Sequence, residues 1–269
     1  MKAINALKEL YAYRQMIVSL VKKDLRGRYK GSALGFLWTF INPLLQLFVY
    51  TIVFQYILAR GQDHYAIFLF VALIPWIFFS SSVTGGSSSV LQSKEMVKKI
   101  YFPREIMPIA NVTSSFVNML LCFVVIFGVL IIAGWGFNFV ALLYLPLIMI
   151  VEYILCLGIA LLTSALTVYF RDLEYILGII MMAWMYLTPV MYSSGTVLSQ
   201  MAGTKFEKYS NLWYLNPMTP IIDAYRDILF NKKVPQISTL LLALGLGLFF
   251  VVIGYAVFRK LQRGFAEEL

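Results

Sequence analysis

Residues 92–105 read Gln-Ser-Lys-Glu-Met-Val-Lys-Lys-Ile-Tyr-Phe-Pro-Arg-Glu, a charged stretch between two long apolar runs that we call the island. If the flanking runs cross a bilayer, these charges require the island to lie in water. About two helical turns are expected from Lys94 to Tyr101, and Pro103 ends them because its ring removes a backbone donor. The island is either a short lever or an ordinary loop that follows charge bias. Its basic residues are Lys94, Lys98, Lys99 and Arg104.

The composition is that of an integral membrane protein. Hydrophobic residues occupy 61% of the 269 positions and charged residues 13%, whereas soluble domains have about 45–50% and 25%. The formal charge is +9, but Lys and Arg cluster at the ends of apolar runs. This distribution indicates membrane topology and argues against nucleic-acid binding. We predict one all-α transmembrane domain over residues 1–269.

Six apolar runs reach the length of about 20 residues that a bilayer-crossing helix needs. They lie at residues 34–58, 65–90, 106–133, 139–169, 174–192 and 236–258. The end of the second run, residues 80–89, is small and polar, which suits close helix contact or a water-facing wall. Four prolines interrupt the runs and are expected to kink the spans. They are Pro43, Pro75, Pro146 and Pro189.

The basic residues also predict the orientation. With a cytoplasmic N-terminus, the inside segments hold 16 of the 22 Lys and Arg residues and the outside segments hold six. Both termini are therefore expected in the cytoplasm, with residues 259–269 as a cytoplasmic tail. Residues 1–30 are expected to form an amphipathic helix at 4–25, lying on the membrane surface, and a hinge. The alternative for this helix is packing on another protein.

The segment at residues 193–235, between the fifth and sixth runs, is expected outside. It contains an amphipathic helix pattern with Thr219 as N-cap and Pro220 at the first helical position. Its polar side would hold Asp223, Arg226 and Asp227. We expect this helix to be re-entrant and to dip into the outer leaflet; a surface cap is the alternative. The residues assigned to the re-entrant helix are Pro217, Pro220, Asp223, Tyr225 and Arg226.

The chain carries little that suggests catalysis. No Gly-x-x-x-x-Gly-Lys-Ser/Thr phosphate loop occurs, so ATP hydrolysis by that route is not expected. With one histidine, His64, and two cysteines, Cys122 and Cys156, no metal or catalytic site is predicted. Glu152 lies near the middle of the fourth run, where a carboxylate is costly. It is either functional or a hydrogen-bonded structural residue.

Aromatic faces on two predicted spans suggest a wall for a sugar polymer. Aromatic rings can stack on sugars without fixed charge, so that the polymer is bound and also released. Core packing or interface anchoring is the alternative. The candidate channel residues are Phe36, Phe40, Tyr50 and Phe54 on the first span and Tyr175, Met182 and Tyr186 on the fifth.

Three motifs in this order resemble a known family. They are RYKGSALGFLW from Arg28 with NPLL from Asn42, VKKIYFPREIMP from Val97, and LNPMTPIIDAYRD from Leu215. Together with the span pattern, they are similar to the permease subunit of bacterial type-2 ABC exporters for polysaccharides and polyol phosphates. That group exports O antigens, capsules and teichoic acids.

The resemblance implies a homodimer that forms one channel in the bacterial plasma (inner) membrane, with two copies of a separate ABC ATPase subunit underneath. ATP and Mg²⁺ would bind to that partner, with no cofactor in this chain, which would be a transport subunit and not an enzyme. The implied substrate is a glycan on an undecaprenyl diphosphate lipid. We hypothesise that Arg104 and Glu105 hold the island while Tyr101 and Phe102 dock on the ATPase. The full coupling set is Lys98, Lys99, Tyr101, Phe102, Pro103, Arg104 and Glu105.

Three alternatives stay open. An exporter of a small lipid or drug would belong to the same family. A proton-driven flippase would need carboxylates on several spans, and only Glu152 lies deep in one. A membrane enzyme acting on lipid-linked sugars would need a polar constellation at a span end, for which Arg171-Asp-Leu-Glu174 is the compact candidate.

Overall fold

The computed structural model describes residues 8–28, 30–57, 63–205 and 207–269, and the regular structure within these ranges is helical. Some predicted features lie outside the described residues: positions 4–7 of the interface helix, Tyr29 of the hinge, Leu58 at the end of the first run, and Arg60.

The first half of the described chain contains α1 (Arg14–Gly27), α2 (Trp38–Thr51), α3 (Tyr65–Gln92), α4 (Lys94–Lys99), α5 (Ile106–Ile132) and α6 (Phe139–Leu142). A 3-10 turn at Gly35–Leu37 leads into α2, and a π-helical turn at Ile52–Ile57 continues it. The second half contains α7 (Leu145–Tyr169), α8 (Leu173–Leu187), α9 (Ser194–Met201), α10 (Met218–Leu229), α11 (Ile237–Leu261) and α12 (Phe265–Glu268). A 3-10 stretch at Glu207–Leu215 precedes α10, and a 3-10 turn at Gln262–Gly264 follows α11.

Five helical segments of the described chain are long and apolar enough to cross a membrane. They are Gly35–Ile57, Tyr65–Gln92, Ile106–Ile132, Phe139–Tyr169 and Ile237–Gly264. The fifth predicted run instead forms α8, with 15 residues, or about 22 Å of helix against a hydrocarbon core of about 30 Å. The predicted all-helical membrane fold is therefore confirmed, while the fifth span is shorter than expected.

The four prolines occupy different positions relative to the helices. Pro43 and Pro75 lie inside α2 and α3. Pro146 lies in the first turn of α7, where its missing N–H has no helical partner to lose. Pro189 follows the last residue of α8. Pro146 thus lies just after the break between α6 and α7 in the fourth run, whereas the expected kink at Pro189 is wrong, because Pro189 lies two residues beyond the end of α8.

One glycine ends α5 in a defined way. Gly134 adopts a positive φ of 64°, which a residue without Cβ tolerates. Its N–H donates to the carbonyl of Ile131 at 3.0 Å, and the Trp135 N–H donates to Leu130 at 2.9 Å. This pair of bonds is a Schellman motif, which satisfies carbonyls that the helix leaves free.

Helices α3, α5, α7 and α11 form the packed interior, and small residues bring them close. A Cβ added at Gly254 of α11 would lie 2.2 Å from the carbonyl oxygen of Gly158 on α7. A Cβ added at Gly86 of α3 would lie 2.6 Å from the Ala160 Cβ on α7. Of the two alternatives for residues 80–89, close helix contact is therefore the one seen at Gly86. In contrast, α8 buries only Leu177, Met181 and Met185 among its described residues, so it forms a lightly packed edge.

A second, smaller hydrophobic core lies at the end of the bundle that carries the island. It joins residues from the island, the start of α5, the end of α7 and the C-terminal segment. The apolar side chains Tyr13, Met16, Ile17 and Leu20 at α1 pack against it, so part of the predicted membrane-facing side contacts this chain. Residues beyond 258 are not a free tail, because Phe265 is fully buried there. The core residues are Val90, Val97, Phe102, Ile106, Met107, Leu161, Ala165, Val168, Phe258 and Phe265.

Gly254→Ala should destabilise the protein by about 1–3 kcal/mol, because the added methyl overlaps the Gly158 backbone and forces α7 and α11 apart. Thermal unfolding of the purified protein in detergent measures this effect. The matched control is Gly245→Ala on the same helix, where an added Cβ meets nothing within 4 Å. Equal melting temperatures for the two variants would contradict the close contact.

Phe102→Ala should cost about 3 kcal/mol or more, since it empties part of the second core. Its neighbour Tyr101 is 84% exposed whereas Phe102 is 4% exposed, so Tyr101→Ala should leave the melting temperature nearly unchanged. A Phe102→Ala protein as stable as Tyr101→Ala would show that the second core does not stabilise the fold.

Candidate coupling site and transport surface

The island is a short helix followed by an extended segment. Helix α4 ends at Lys99, and Ile100 is already extended with φ −131° and ψ 137°, so the helix stops two residues before the predicted Tyr101. Glu95 and Lys99 pair at 3.2 Å on its exposed side. An exposed pair of this kind contributes little stability. The position of the island therefore depends on the residues that follow α4.

Two charged residues after the extended segment attach the island to the C-terminal segment. Arg104 Nη1 donates a hydrogen bond to the backbone carbonyl of Gln262. Glu105 is 5% exposed, and its Oε1 lies 3.7 Å from Arg259 Nη1. The two residues predicted to hold the island thus contact the end of α11 and the turn after it.

The structure separates Tyr101 from Phe102. Tyr101 and Ile100 are 84% and 61% exposed, whereas Phe102 is buried in the second core at 4%. Phe102 therefore holds the island in place, and it is not available to dock on another protein. Ile100, which the sequence hypothesis left out, presents the apolar surface beside Tyr101. The hypothesis placed both aromatic residues on the docking surface, whereas the structure buries Phe102 in the second core and exposes Tyr101.

A cleft of about 430 Å³ lies between the island and the C-terminal segment. Lys98, Lys99, Arg104, Arg259 and Arg263 line it together with two acids, Glu9 and Glu105. Its charge is therefore predominantly positive. Pro103, the remaining member of the predicted coupling set, also lines this cleft.

The candidate channel residues do not form one continuous set. Phe36 and Phe40 pair edge to face at 5.5 Å between ring centroids, and Phe36 is 51% exposed. Tyr50 and Phe54 instead pack against the main core. On α8, the three predicted residues are all exposed: Tyr175 at 77%, Met182 at 65% and Tyr186 at 58%.

Helices α2 and α8 meet at one point within this set. The Tyr50 hydroxyl lies 3.9 Å from the Met185 sulfur. One turn and two turns before Tyr50 come Gln46 and Asn42, whose amides bond to each other at 3.4 Å. Side chains at i, i+4 and i+8 share a helix face. This polar pair was not among the predicted channel residues, although amide residues inside an apolar run are a visible signal in the sequence.

Asn216 joins the end of α8 to the start of α10. Its Nδ2 donates to the Leu187 carbonyl at 3.1 Å and to Thr188 Oγ1 at 2.9 Å. Its Oδ1 accepts from Trp184 Nε1 at 3.0 Å and from the Met218 N–H at 3.1 Å. Helix α10 begins at Met218 with Pro217 as its N-cap, so the predicted N-cap Thr219 is wrong, and Asn216 accepts from the first helical N–H. Asn-Pro at 216–217 is a turn signal that favours this start.

Arg226, on the predicted polar side of α10, is buried at 4% exposure, whereas Asp223 and Asp227 are half-buried. Its Nη1 and Nη2 donate to the carbonyls of Tyr192 at 2.8 Å and Val190 at 2.6 Å. Its guanidinium also lies 3.7 Å from the centre of the Phe68 ring. Burial lowers the pKa of Arg226 to about 9, so it remains cationic at neutral pH. The guanidinium satisfies irregular backbone just beyond α8.

Tyr225 connects α10 with the interior of α7. Its hydroxyl donates to Glu152 Oε2 at 2.7 Å, and both residues are fully buried. Of the predicted re-entrant set, Pro217 and Pro220 occupy the start of α10. Asp223 lines a cleft with Ser194 and Asp227, and burial raises the pKa of its carboxyl. Glu152 is thus hydrogen-bonded through Oε2, while its Oε1 is buried without a hydrogen-bond partner among the described residues.

Known proteins match this chain over most of its length. The family model for the ABC-2 type transporter matches residues 15–230. The O-antigen export system permease protein RfbA of Myxococcus xanthus is 30% identical over 270 residues, covering 99% of this chain and all of that protein. The RfbA protein of Klebsiella pneumoniae is 32% identical over 256 residues, covering 94% and 95%.

A more distant relative is the polysialic acid transport protein KpsM of Escherichia coli, 21% identical over 249 residues and covering 90% of this chain and 92% of that protein. The matched family region begins in α1, includes the island and ends just after α10. The chain therefore belongs to the ABC-2 type transporter family, as a multi-pass membrane permease that is not itself an enzyme and works with an ABC ATPase partner.

Proposed function

We propose that this chain forms the channel of an ATP-driven exporter that moves a polysaccharide of the O-antigen, capsule or teichoic acid type outward across the plasma membrane. The observation that carries the proposal is the likeness, over nearly the whole chain, to permeases named for O-antigen export in two organisms. The polymer would travel on an undecaprenyl diphosphate lipid, as the motif resemblance implies.

The island is the contact for the ATPase. The chain has no phosphate loop of its own, so ATP and Mg²⁺ bind to the partner, present in two copies. Ile100 and Tyr101 are the exposed apolar residues that dock, and Lys98 and Lys99 flank them. The excess of basic residues on the island side of the bundle supports a cytoplasmic position for it and for both termini.

A second copy of the chain completes the channel. Asn42 is exposed on α2 and has one hydrogen-bond partner, Gln46, within the described structure. Amide groups facing lipid would leave donors and acceptors unpaired at a cost of several kcal/mol each. The face of Asn42, Gln46 and Tyr50 therefore turns toward a second copy or the aqueous path. The lightly packed α8 lies next to it through the Tyr50–Met185 contact.

Exposed aromatic residues on α2 and α8 would contact the passing glycan. Phe36, Tyr175 and Tyr186 are all more than half exposed. Their rings offer stacking surfaces without fixed charge, so that each sugar unit is held weakly and released. Tyr50 and Phe54 are packed against the core, and we assign them to the support of this wall.

The segment after α8 is re-entrant. The Tyr225–Glu152 bond places α10 beside the interior of α7, seven residues or about 10 Å of helix rise beyond Leu145. Irregular backbone at membrane depth is tolerated only where protein groups satisfy it. Asn216 and Arg226 supply those groups for the carbonyls of Leu187, Val190 and Tyr192.

The test is export in cells that express the chain with its cognate ATPase. Replacing the phosphate-loop lysine of the ATPase by alanine should reduce surface glycan to background, because the permease has no motor of its own. Antibody labelling of intact cells measures the glycan, and a Western blot checks that the complex is present. Continued export with the inactive ATPase would contradict the proposal. Normal surface glycan in cells that lack the permease, together with loss of dye efflux, would favour the small-molecule exporter.

A further inference from the structure

The C-terminal segment contacts the island through two polar links. Arg104 donates to the backbone carbonyl of Gln262, and its guanidinium carbon lies 5.7 Å from the centre of the Phe265 ring. Glu105 faces Arg259 at 3.7 Å. Adjacent residues of the island end thus contact both the last turn of α11 and the turn that follows it. We call these links the clamp.

Apolar packing holds the same two parts together beneath the clamp. Val97 and Phe102 from the island share the second core with Phe258 and Phe265. Phe258 and Phe265 are fully buried, and their rings pack edge to face at 5.5 Å. Because packed cores have low compressibility and transmit strain, the island and the C-terminal segment should move together.

The C-terminal segment is in turn fixed to α7. The Tyr169 hydroxyl donates to the Leu261 carbonyl at 2.9 Å. A Cβ added at Gly264 would lie 2.3 Å from that hydroxyl. Further along, Gly254 rests on the backbone of Gly158. Helices α7 and α11 are therefore closely packed both at Gly254 and at the end of α11.

We propose that the clamp transmits displacement of the island to α11 and, through it, to α7. The proposal rests on the proposed function, since the ATPase is what displaces the island. Glu105 and Arg259 are positioning residues: they do not contact the substrate, but they fix the direction in which the island can move. The C-terminal segment is thus part of the coupling apparatus, not a tail.

Loss of the clamp should affect ATP hydrolysis and glycan transport differently if the clamp transmits motion, and equally if it only stabilises the fold. If the clamp only stabilised the fold, its loss would lower the amount of folded complex and reduce ATP hydrolysis and transport in proportion. If it transmits motion, the ATPase still docks on Ile100 and Tyr101 and still hydrolyses ATP. The amount of glycan moved for each ATP hydrolysed then falls. The ratio of the two rates is the diagnostic quantity.

The experiment uses the complete complex of permease and cognate ATPase in lipid vesicles, with lipid-linked glycan supplied from outside. Arg259→Gln should lower the ratio of glycan translocated to ATP hydrolysed about fivefold, the lower end of the usual range for coupling between sites. Arg263→Gln is the matched control, because Arg263 lines the same cleft and is exposed, and its side chain makes no hydrogen bond or ion pair with other described residues. Its ratio should stay at that of the unaltered complex.

Further variants test whether the effect comes from the Glu105–Arg259 ion pair and not from either residue acting independently. Glu105→Gln keeps the size of the side chain and should lower the ratio as Arg259→Gln does. The double variant should lose no more than either single one, because both remove the same interaction. Arg259→Lys, which keeps the charge, should restore most of the ratio.

An unchanged ratio in both single variants, or losses that multiply in the double variant, would overturn the clamp. An equal fall in Arg263→Gln would also overturn it, since general loss of positive charge would then explain the effect. Failure of the proposed function looks different: the unaltered complex itself would then move no glycan when ATP is added.

Discussion

The backbone contact between Gly254 and Gly158 is the constraint on which the rest of the structure depends. With no side chain at either position, α11 and α7 approach so closely that an added Cβ would overlap a carbonyl. Gly86 against Ala160 brings α3 to the same pair. In a bilayer, where helices gain little from hydrophobic burial against each other, such close van der Waals packing is a main source of association. Helices α3, α7 and α11 form the tightly packed part of the subunit.

This close packing divides the subunit into a tightly packed part and a lightly packed edge, which have different roles. The island is attached to the tightly packed part through the second core and through Arg104 and Glu105. Helices α2 and α8 lie at an edge with little burial, and there the exposed aromatic and amide side chains are found. In the proposed exporter, the motion of the ATPase passes from the island to the tightly packed part. The edge, together with a second copy of the chain, forms the wall of the transport path.

Much of this was visible in the sequence, because length and hydropathy define spans directly. The island and the apolar runs follow from composition alone, whereas for residues 80–89 the small side chains allowed either close helix contact or a water-facing wall. The pairing of Tyr225 with Glu152 and the burial of Arg226 could not be predicted, because each depends on which helix packs beside α10. The burial of Phe102 could not be predicted for a similar reason, because it depends on which residues of the C-terminal segment pack against the island. The C-terminal residues looked like a tail because their partners on α7 and on the island lie about 90 to 160 positions away in the sequence.

Accessibility of Tyr101→Cys to a membrane-impermeant maleimide tests most directly whether the island receives the ATPase. The reagent should label this cysteine in inside-out vesicles stripped of the ATPase, and addition of the ATPase should protect it. Sealed right-side-out vesicles should show no labelling at this position, whereas Lys233→Cys, on the predicted external side, should be labelled there. Labelling of Tyr101→Cys from the outside, or labelling that the bound ATPase leaves unchanged, would contradict the account.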